Sequence, residues 1–275
     1  MMNFIEKFQH IDRRIVYTLC ILGVIVPFLV TIELPIFISP ETKGIYDTIE
    51  EVPPDKIVLL VSSWDAGSKG ENWPQTEAVI EHMMRKDIKF AIMSHTPQGV
   101  GFAEEVAELV AKRYGKKYGI DWCNFGYLTG EIDPRPMIQA LCKDIPGVVQ
   151  KDIRGTPITE IPMMKGIKDI HDIYFVLNIE YYPKEDWIPF VQGVYGTKVG
   201  FGSASIVSSA MYPYLESGQL CGLLVGVRGA AEYETLLRTR GLGKEFIVPQ
   251  SIAHLLIVVL VIMANIGYWA SRRKK

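Results

Sequence analysis

Hydrophobic and polar positions divide this chain into three regimes. Residues 15–32 form an 18-residue run without a formal charge, and residues 247–270 form a second run of 24. Between them, short apolar runs alternate with amphipathic ones. At ~1.5 Å per helical residue the two uncharged runs reach roughly 27 and 36 Å, against a hydrocarbon core of about 30 Å. The pattern predicts a cytoplasmic tail at 1–14, a transmembrane helix at 15–32, an α/β domain at 33–246, a second transmembrane helix at 247–270 and a basic tail at 271–275.

Within the domain, six strand-like runs are expected at 56–61, 89–93, 122–128, 173–179, 198–202 and 220–225. Helix-like runs follow at 74–85, 101–114, 136–142, 187–194, 205–216 and 230–240. In the second of these, Phe102, Val106, Leu109 and Val110 share one face, while Glu104, Glu105 and Glu108 lie on the other. Pro74 suits a first helical turn, and Ser203 or Ser205 is placed to cap the helix expected at 205–216. Residues 145–172, with Pro146, Pro157 and Pro162, break the alternation and suggest a flap or an excursion along a membrane surface.

Short, continuously apolar strands between helices indicate a parallel sheet covered on both faces. The expected fold class is therefore α/β: a doubly wound, mainly parallel Rossmann-like sheet of about six strands, flanked by N- and C-terminal transmembrane helices. Eight units would be needed for a barrel.

A net charge of −2 gives no electrostatic case for nucleic acid. Cys123, Cys142 and Cys221 are scattered through the domain and Cys20 lies in the first apolar run, which makes neither a zinc pattern nor a disulfide framework. Near the spans, the tails carry seven Lys and Arg against five on the domain side. That bias places both termini in the cytoplasm and the domain outside it. The first run lacks a small-x-small cleavage site and reads as an uncleaved anchor. Gly23, Ala264, Asn265 and Gly267 are small or amide-bearing residues of the kind that pack helices in lipid.

Open parallel sheets take ligands beyond the carboxyl ends of their strands. The candidate rim there is Ser62, Ser63 and Asp65 after the first strand, Ser94 and His95 after the second, Glu180 after the fourth, Ser203 after the fifth and Arg228 after the sixth. Asp65, His95 and Glu180 would be an acid–base set, with a serine as nucleophile. The bland alternatives are loop chemistry for the rim, a local turn bond for His95, and a structural partner such as Asp65 or Glu180 for Arg228. His82, beside Glu81 on a helix, is expected to face solvent. The loop Asp65-Ala66-Gly67-Ser68-Lys69-Gly70 lacks the Gly-Lys-Ser/Thr ending of a phosphate loop, and the helix opening at Gly99-Val100-Gly101 carries Glu104 where a dinucleotide site needs Gly or Ala. Neither G-x-S-x-G nor H-E-x-x-H occurs. No cofactor and no metal is implied.

The segments Val61-Ser62-Ser63-Trp64-Asp65, Ser94-His95-Thr96-Pro97-Gln98-Gly99, Asn124-Phe125-Gly126-Tyr127 and Ser217-Gly218-Gln219-Leu220 through Arg228-Gly229-Ala230-Ala231-Glu232-Tyr233-Glu234 resemble membrane-anchored Rossmann-like proteins of bacteria and archaea. The resemblance implies one domain with terminal anchors; it carries no activity, substrate or site residue. The expectation for function is a binding or scaffolding protein that works at the lipid bilayer and assembles with itself or a membrane partner. The alternative is a membrane-bound hydrolase or transferase acting on a small anionic substrate.

Overall fold

Seven consecutive residues of Ile57–Ser63 are buried, because this strand is covered on both faces. Val58 and Leu60 point into one apolar layer, while Ile57, Leu59 and Val61 point into the other. The computed structural model describes residues 12–30, 32, 34–129, 132–182 and 184–272. Most of the expected N-terminal tail, including Lys7, and the basic residues Arg273, Lys274 and Lys275 lie outside the described residues.

The elements in chain order begin with α1 (Arg13–Leu29), α2 (Pro40–Glu50), β1 (Ile57–Ser63), α3 (Lys69–Arg85) and β2 (Phe90–Ser94). Next come α4 (Pro97–Tyr114), β3 (Trp122–Tyr127), α5 (Arg135–Lys143), α6 (Ile145–Val148) and β4 (Ile173–Glu180). After β4 come α7 (Gly193–Tyr195), β5 (Lys198–Ser203), α8 (Tyr212–Glu216), β6 (Leu223–Val225), α9 (Gly226–Leu236) and α10 (Leu242–Arg272). The strands form one six-stranded sheet in the order β3-β2-β1-β4-β5-β6. All five pairings are parallel. The expected doubly wound α/β sheet is the fold observed.

One face is covered by α2, α3, α4 and α9, through residues such as Ile45, Val79, Ile80, Val106 and Tyr233. The other is covered by α5, α6 and a series of short turns. Residues 145–172 thus correct the expectation of a flap or membrane excursion. Ile158, Ile161, Met163, Met164 and Ile170 are buried in the core, so this irregular stretch is the lid of one sheet face. Its prolines break helical periodicity without making it peripheral.

Local chemistry sets the helix ends. Thr96 Oγ1 accepts the N–H of Gly99 at 3.3 Å, Pro97 occupies the first turn of α4, and Gly115 closes it in the left-handed region at φ 66°. The helix expected at 187–194 is instead a π-helical turn, Ile188–Gln192, followed by the short α7. The helix expected at 205–216 is a 3-10 turn, Ser208–Met211, running into α8.

Residues 1–35 and 244–275 form a separate compact unit from residues 36–243. Among the described residues, one helix is long and apolar enough to cross a membrane, Leu242–Trp269. The N-terminal run does not reach that length as a helix. α1 ends at Leu29 and Val30 is extended, so 15–29 is the helical part of the uncharged run, about 22 Å at ~1.5 Å per residue. Inside this unit, a Cβ placed on Gly23 would lie 3.4 Å from Ile252 Cγ2, and the rings of Phe28 and Phe246 meet edge to face at 6.2 Å. Asn265 donates to the carbonyl of its own helix at Val261, at 2.8 Å, and both Asn265 and Ala264 are exposed; of the four expected packing residues, these two point away from the helix contact. Gly267 is buried.

Candidate functional site

The strand order reverses between β1 and β4, the position where open α/β sheets leave a crevice at their carboxyl edge. Sheet register places one row of polar side chains across this edge. Ser63 pairs with Glu180, and Glu180 pairs with Ser203. Val61 pairs with Met93, so two residues further on His95 stands beside Ser63. Side chains alternate along a strand. Ser63, His95, Glu180 and Ser203 therefore share the face that carries Val61, Met93, Val176 and Phe201. All four are buried.

Each member of the row is held by a specific bond. The His95 backbone N–H donates to Ser63 Oγ at 2.9 Å. His95 Nδ1 lies 3.3 Å from the carbonyl oxygen of Leu128. A carbonyl only accepts, so Nδ1 carries the proton and Nε2 presents its lone pair. Nε2 has no hydrogen-bond partner. Burial pushes the imidazole down to about 4, and its ring lies 6.0 Å from Trp187.

Glu180 Oε2 accepts from Asn178 Nδ2 at 2.8 Å and from the Lys184 backbone N–H at 3.0 Å. Burial pushes its carboxyl up to about 7, although both hydrogen bonds pull the other way. Asn178, one step down the same face, keeps its Oδ1 buried and without a partner. Ser203 Oγ bonds to Ser208 Oγ at 2.8 Å.

Outside the row, a cleft of about 280 Å³ opens past the ends of β4 and β5. Tyr182, Lys184, Glu185 and Asp186 wall it, and Val207, Ala210 and Met211 supply the apolar part. The backbone of Lys184 joins this wall to Glu180, and Ser208 joins the apolar side to Ser203. Asp186 is shifted upward by partial burial. Glu185 accepts from Tyr214 Oη.

The remaining candidates are placed elsewhere. Ser62 and Ser94 belong to the opposite face, under α4. A Cβ on Gly99 would come within 2.2 Å of the Ser62 carbonyl oxygen, so only glycine lets α4 sit this close to β1. Ser94 Oγ donates to the Thr96 carbonyl at 2.8 Å. Past these serines that face ends in an aromatic stack, Trp64 on Phe102 at 5.0 Å, with Lys69 Nζ 4.4 Å from the Trp73 centroid. Asp65 folds back onto its own loop, where Oδ1 accepts from Gly67 N at 2.8 Å and Ser68 N at 3.3 Å. A carboxylate thus already fills the turn that a phosphate would need.

Arg228 does not reach the rim carboxylates. Its Nε donates to Glu232 Oε1 at 2.6 Å, one turn along α9, and Glu232 also accepts from Ser39 N and Oγ. The expected pairing with Asp65 or Glu180 is corrected to this i,i+4 pair. His82 is likewise corrected from solvent to core: Nδ1 meets Tyr233 Oη at 2.7 Å and Nε2 meets Glu50 at 2.8 Å. His95 does not bond within its own turn; its partner is 33 residues away.

Sequence reasoning missed Asp186 and Trp187. The signal was the dense run Tyr181, Tyr182, Lys184, Glu185, Asp186 and Trp187 directly after an apolar strand. Among the described residues there is no cluster of three or more His, Cys, Asp or Glu suited to a metal ion. The cysteines are free thiols, and burial pushes Cys142 up to about 12 and Cys221 up to about 11. Comparisons with protein-family models, with curated proteins and with solved structures give no match.

Proposed function

We propose that this chain is a membrane-tethered α/β binding protein that takes a small polar ligand at the carboxyl edge of β4 and β5. The observation that carries the reading is the row of His95, Ser63, Glu180 and Ser203 at the strand-order reversal, backed by unpartnered atoms on His95 and Asn178. Unpartnered buried polar atoms cost about 1–3 kcal/mol each, so a fold that keeps two in one row favours a guest that completes them.

Binding is favoured over hydrolysis or group transfer because no serine at this edge is arranged as a nucleophile. Ser63 Oγ is engaged by the His95 backbone, Ser203 by Ser208, and Ser62 lies on the opposite face. His95 presents Nε2 to no hydroxyl.

In this reading α10 holds the protein in the bilayer. α1 lies beside α10 as the second arm of a hairpin, supported by the Gly23 and Phe28 contacts. The excess of Lys and Arg in the tails supports cytoplasmic termini and an extracytoplasmic domain. Self-association through Gly23 or Asn265 is less favoured, since each makes its contact within the chain.

Native mass spectrometry of the detergent-extracted, full-length protein tests the reading. A small molecule retained by the wild type and lost in Glu180→Gln is the expected result. Indistinguishable spectra that carry no ligand, together with no thermal shift from any compound in a broad metabolite panel, would overturn it.

A further inference from the structure

We infer that His82 is an acid-sensitive latch: a proton on its imidazole reverses the bond that ties α9 to α3 and loosens the last helix before α10. The inference is independent of what the cleft at the carboxyl edge holds.

Three helices meet at this side chain. His82 of α3 is 1% exposed and is bonded on both sides. Its Nε2 meets Glu50 Oε1 of α2 at 2.8 Å, and its Nδ1 meets Tyr233 Oη of α9 at 2.7 Å. Tyr46 of α2 stacks on the imidazole, with centroids 4.5 Å apart, and also touches the Tyr233 ring edge to face.

These bonds have one sense while the ring is neutral. Glu50 Oε2 accepts from Lys86 Nζ at 2.7 Å, and this bond above all holds its carboxyl below the usual range. An ionised carboxylate only accepts, so Nε2 carries the proton and Nδ1 receives the Tyr233 hydroxyl. A second proton on the ring would sit on Nδ1 and turn that bond around. Tyr233 Oη would then accept, and its own hydrogen would need a new acceptor. Tyr233 is fully buried, and among the described residues its Oη has no second partner. A stranded hydroxyl and a charge withdrawn from water both weigh against the closed latch.

The groups around the ring pull in both directions. Glu50 and the face of Tyr46 favour an imidazolium. Burial opposes it and is the largest effect, and Lys86 and Arg85 add to the opposition, so the imidazole is held below its ordinary 6.5. On α9, Glu232 is spent on Ser39 and Arg228, and Glu234 on the backbone of Gly241 and Gly243. On α4, Arg113 and Tyr114 bond Glu77 and Glu81 rather than His82. Cys221 raises Tyr233, and Tyr174 and Lys198 are held with Glu51. The latch is therefore fully closed above 6.5 and opens as pH falls below it.

The opening is local. Arg85 Nη1 also ties α3 to the Leu237 carbonyl, at 2.8 Å, and an arginine keeps its charge throughout this range. The turn of α9 around Tyr233 is released while the end of the helix stays pinned. Residues 237–241 then lead into α10.

Hydrogen exchange of the full-length protein in detergent tests the latch, at about pH 8 and about pH 5, on either side of the histidine range. Rates are corrected for the intrinsic pH dependence of exchange, and α4 serves as the internal reference. Protection at residues 230–236 is expected to fall ~tenfold or more at the lower pH relative to α4, the scale of one stranded hydroxyl. His82→Gln, which cannot titrate, should abolish that difference. Tyr233→Phe keeps the ring and serves as the second variant: α9 should already be looser at about pH 8 and change less on acidification. Equal protection of α9 at both pH values in the wild type would overturn the inference. So would an equal acid loss in α4 and α9, which is unfolding of the whole domain. An acid loss that persists unchanged in either variant would assign the effect to another group and overturn it as well.

Discussion

Glu180 accepts a hydrogen bond from Asn178 Nδ2 at 2.8 Å, two residues back along β4, and the pair is buried at the carboxyl edge where the sheet reverses its winding. Neighbours two apart on a strand share a face, so this contact needs no tertiary partner to form. Its burial does. Trp187, the following π-helical turn and Met211 cover the face and remove water from the carboxyl.

The buried acid and the buried base at this edge oppose each other in pH. Glu180 is raised from 4.5 to about 7, so its contribution is full below 4.5 and is lost as pH rises to about 7. His95 is lowered from 6.5 to about 4, so its contribution is full above 6.5 and is lost as pH falls to about 4. Each is worth about 3 kcal/mol at 1.36 kcal/mol per pH unit, and the two slopes cancel between 4.5 and 6.5. Urea unfolding of Glu180→Gln should uncover a stability that rises with pH across this window. His95→Gln should uncover one that falls. Parallel pH profiles in wild type and both variants would contradict these assignments.

Gly99→Ala should destabilise the domain by about 1–3 kcal/mol, the usual range for overpacking. Its Cβ would stand 2.2 Å from a backbone oxygen of β1 and cannot be accommodated by a rotamer change. Gly101→Ala, where a Cβ meets nothing within 4 Å, is the control and should be neutral or mildly stabilising. Chemical denaturation of the two variants measures the difference.

Gln75→Leu should cost about 2–4 kcal/mol, because Nε2 donates to the carbonyls of Ser203 and Gly226 at 3.0 Å and to that of Leu224 at 3.4 Å. Loss of this one side chain leaves the ends of β5 and β6 without their shared donor. Hydrogen exchange should report faster opening at β6 before the rest of the sheet; uniform exchange across all six strands would contradict a local role.

Arg228→Met should lower stability by roughly 1 kcal/mol and leave ligand binding at the cleft unchanged. The arginine side chain is 59% exposed and its partner Glu232 keeps both bonds from Ser39. A loss of binding in this variant at unchanged stability would return Arg228 to the ligand site.

Truncation after Gly243 should release the protein from carbonate-washed membranes. α10 supplies the one span of sufficient length among the described residues, and α1 is 17 residues long. A truncated chain that stays with the membrane would show that α1 anchors by itself.

Much of the layout was legible from the residues. Continuous apolar runs such as Ile57-Val58-Leu59-Leu60-Val61 declare a strand buried on both faces, and the helices between such runs require parallel pairing. Four of the eight rim candidates, Ser63, His95, Glu180 and Ser203, do stand in one row. The period-two rule hints at the split from Ser62 and Ser94. It becomes decisive only once register is known, since a one-residue slip exchanges the faces. Residues 145–172 carry no legible pattern, because their prolines erase periodicity and their burial comes from turns that no repeat announces.

Hydrophobic patterning by itself determined the α/β class, the parallel sheet and the long apolar helix at the C-terminal end. These depend on local periodicity and on run length, which neighbours in sequence carry. The tertiary structure alone decided that His95 donates to a carbonyl 33 residues away, that Arg228 turns to its own helix, and that Glu180 and Asn178 end up dry. Tautomer, ion-pair choice and desolvation depend on which atoms from distant segments arrive at the same place, and one-dimensional spacing does not hold that information.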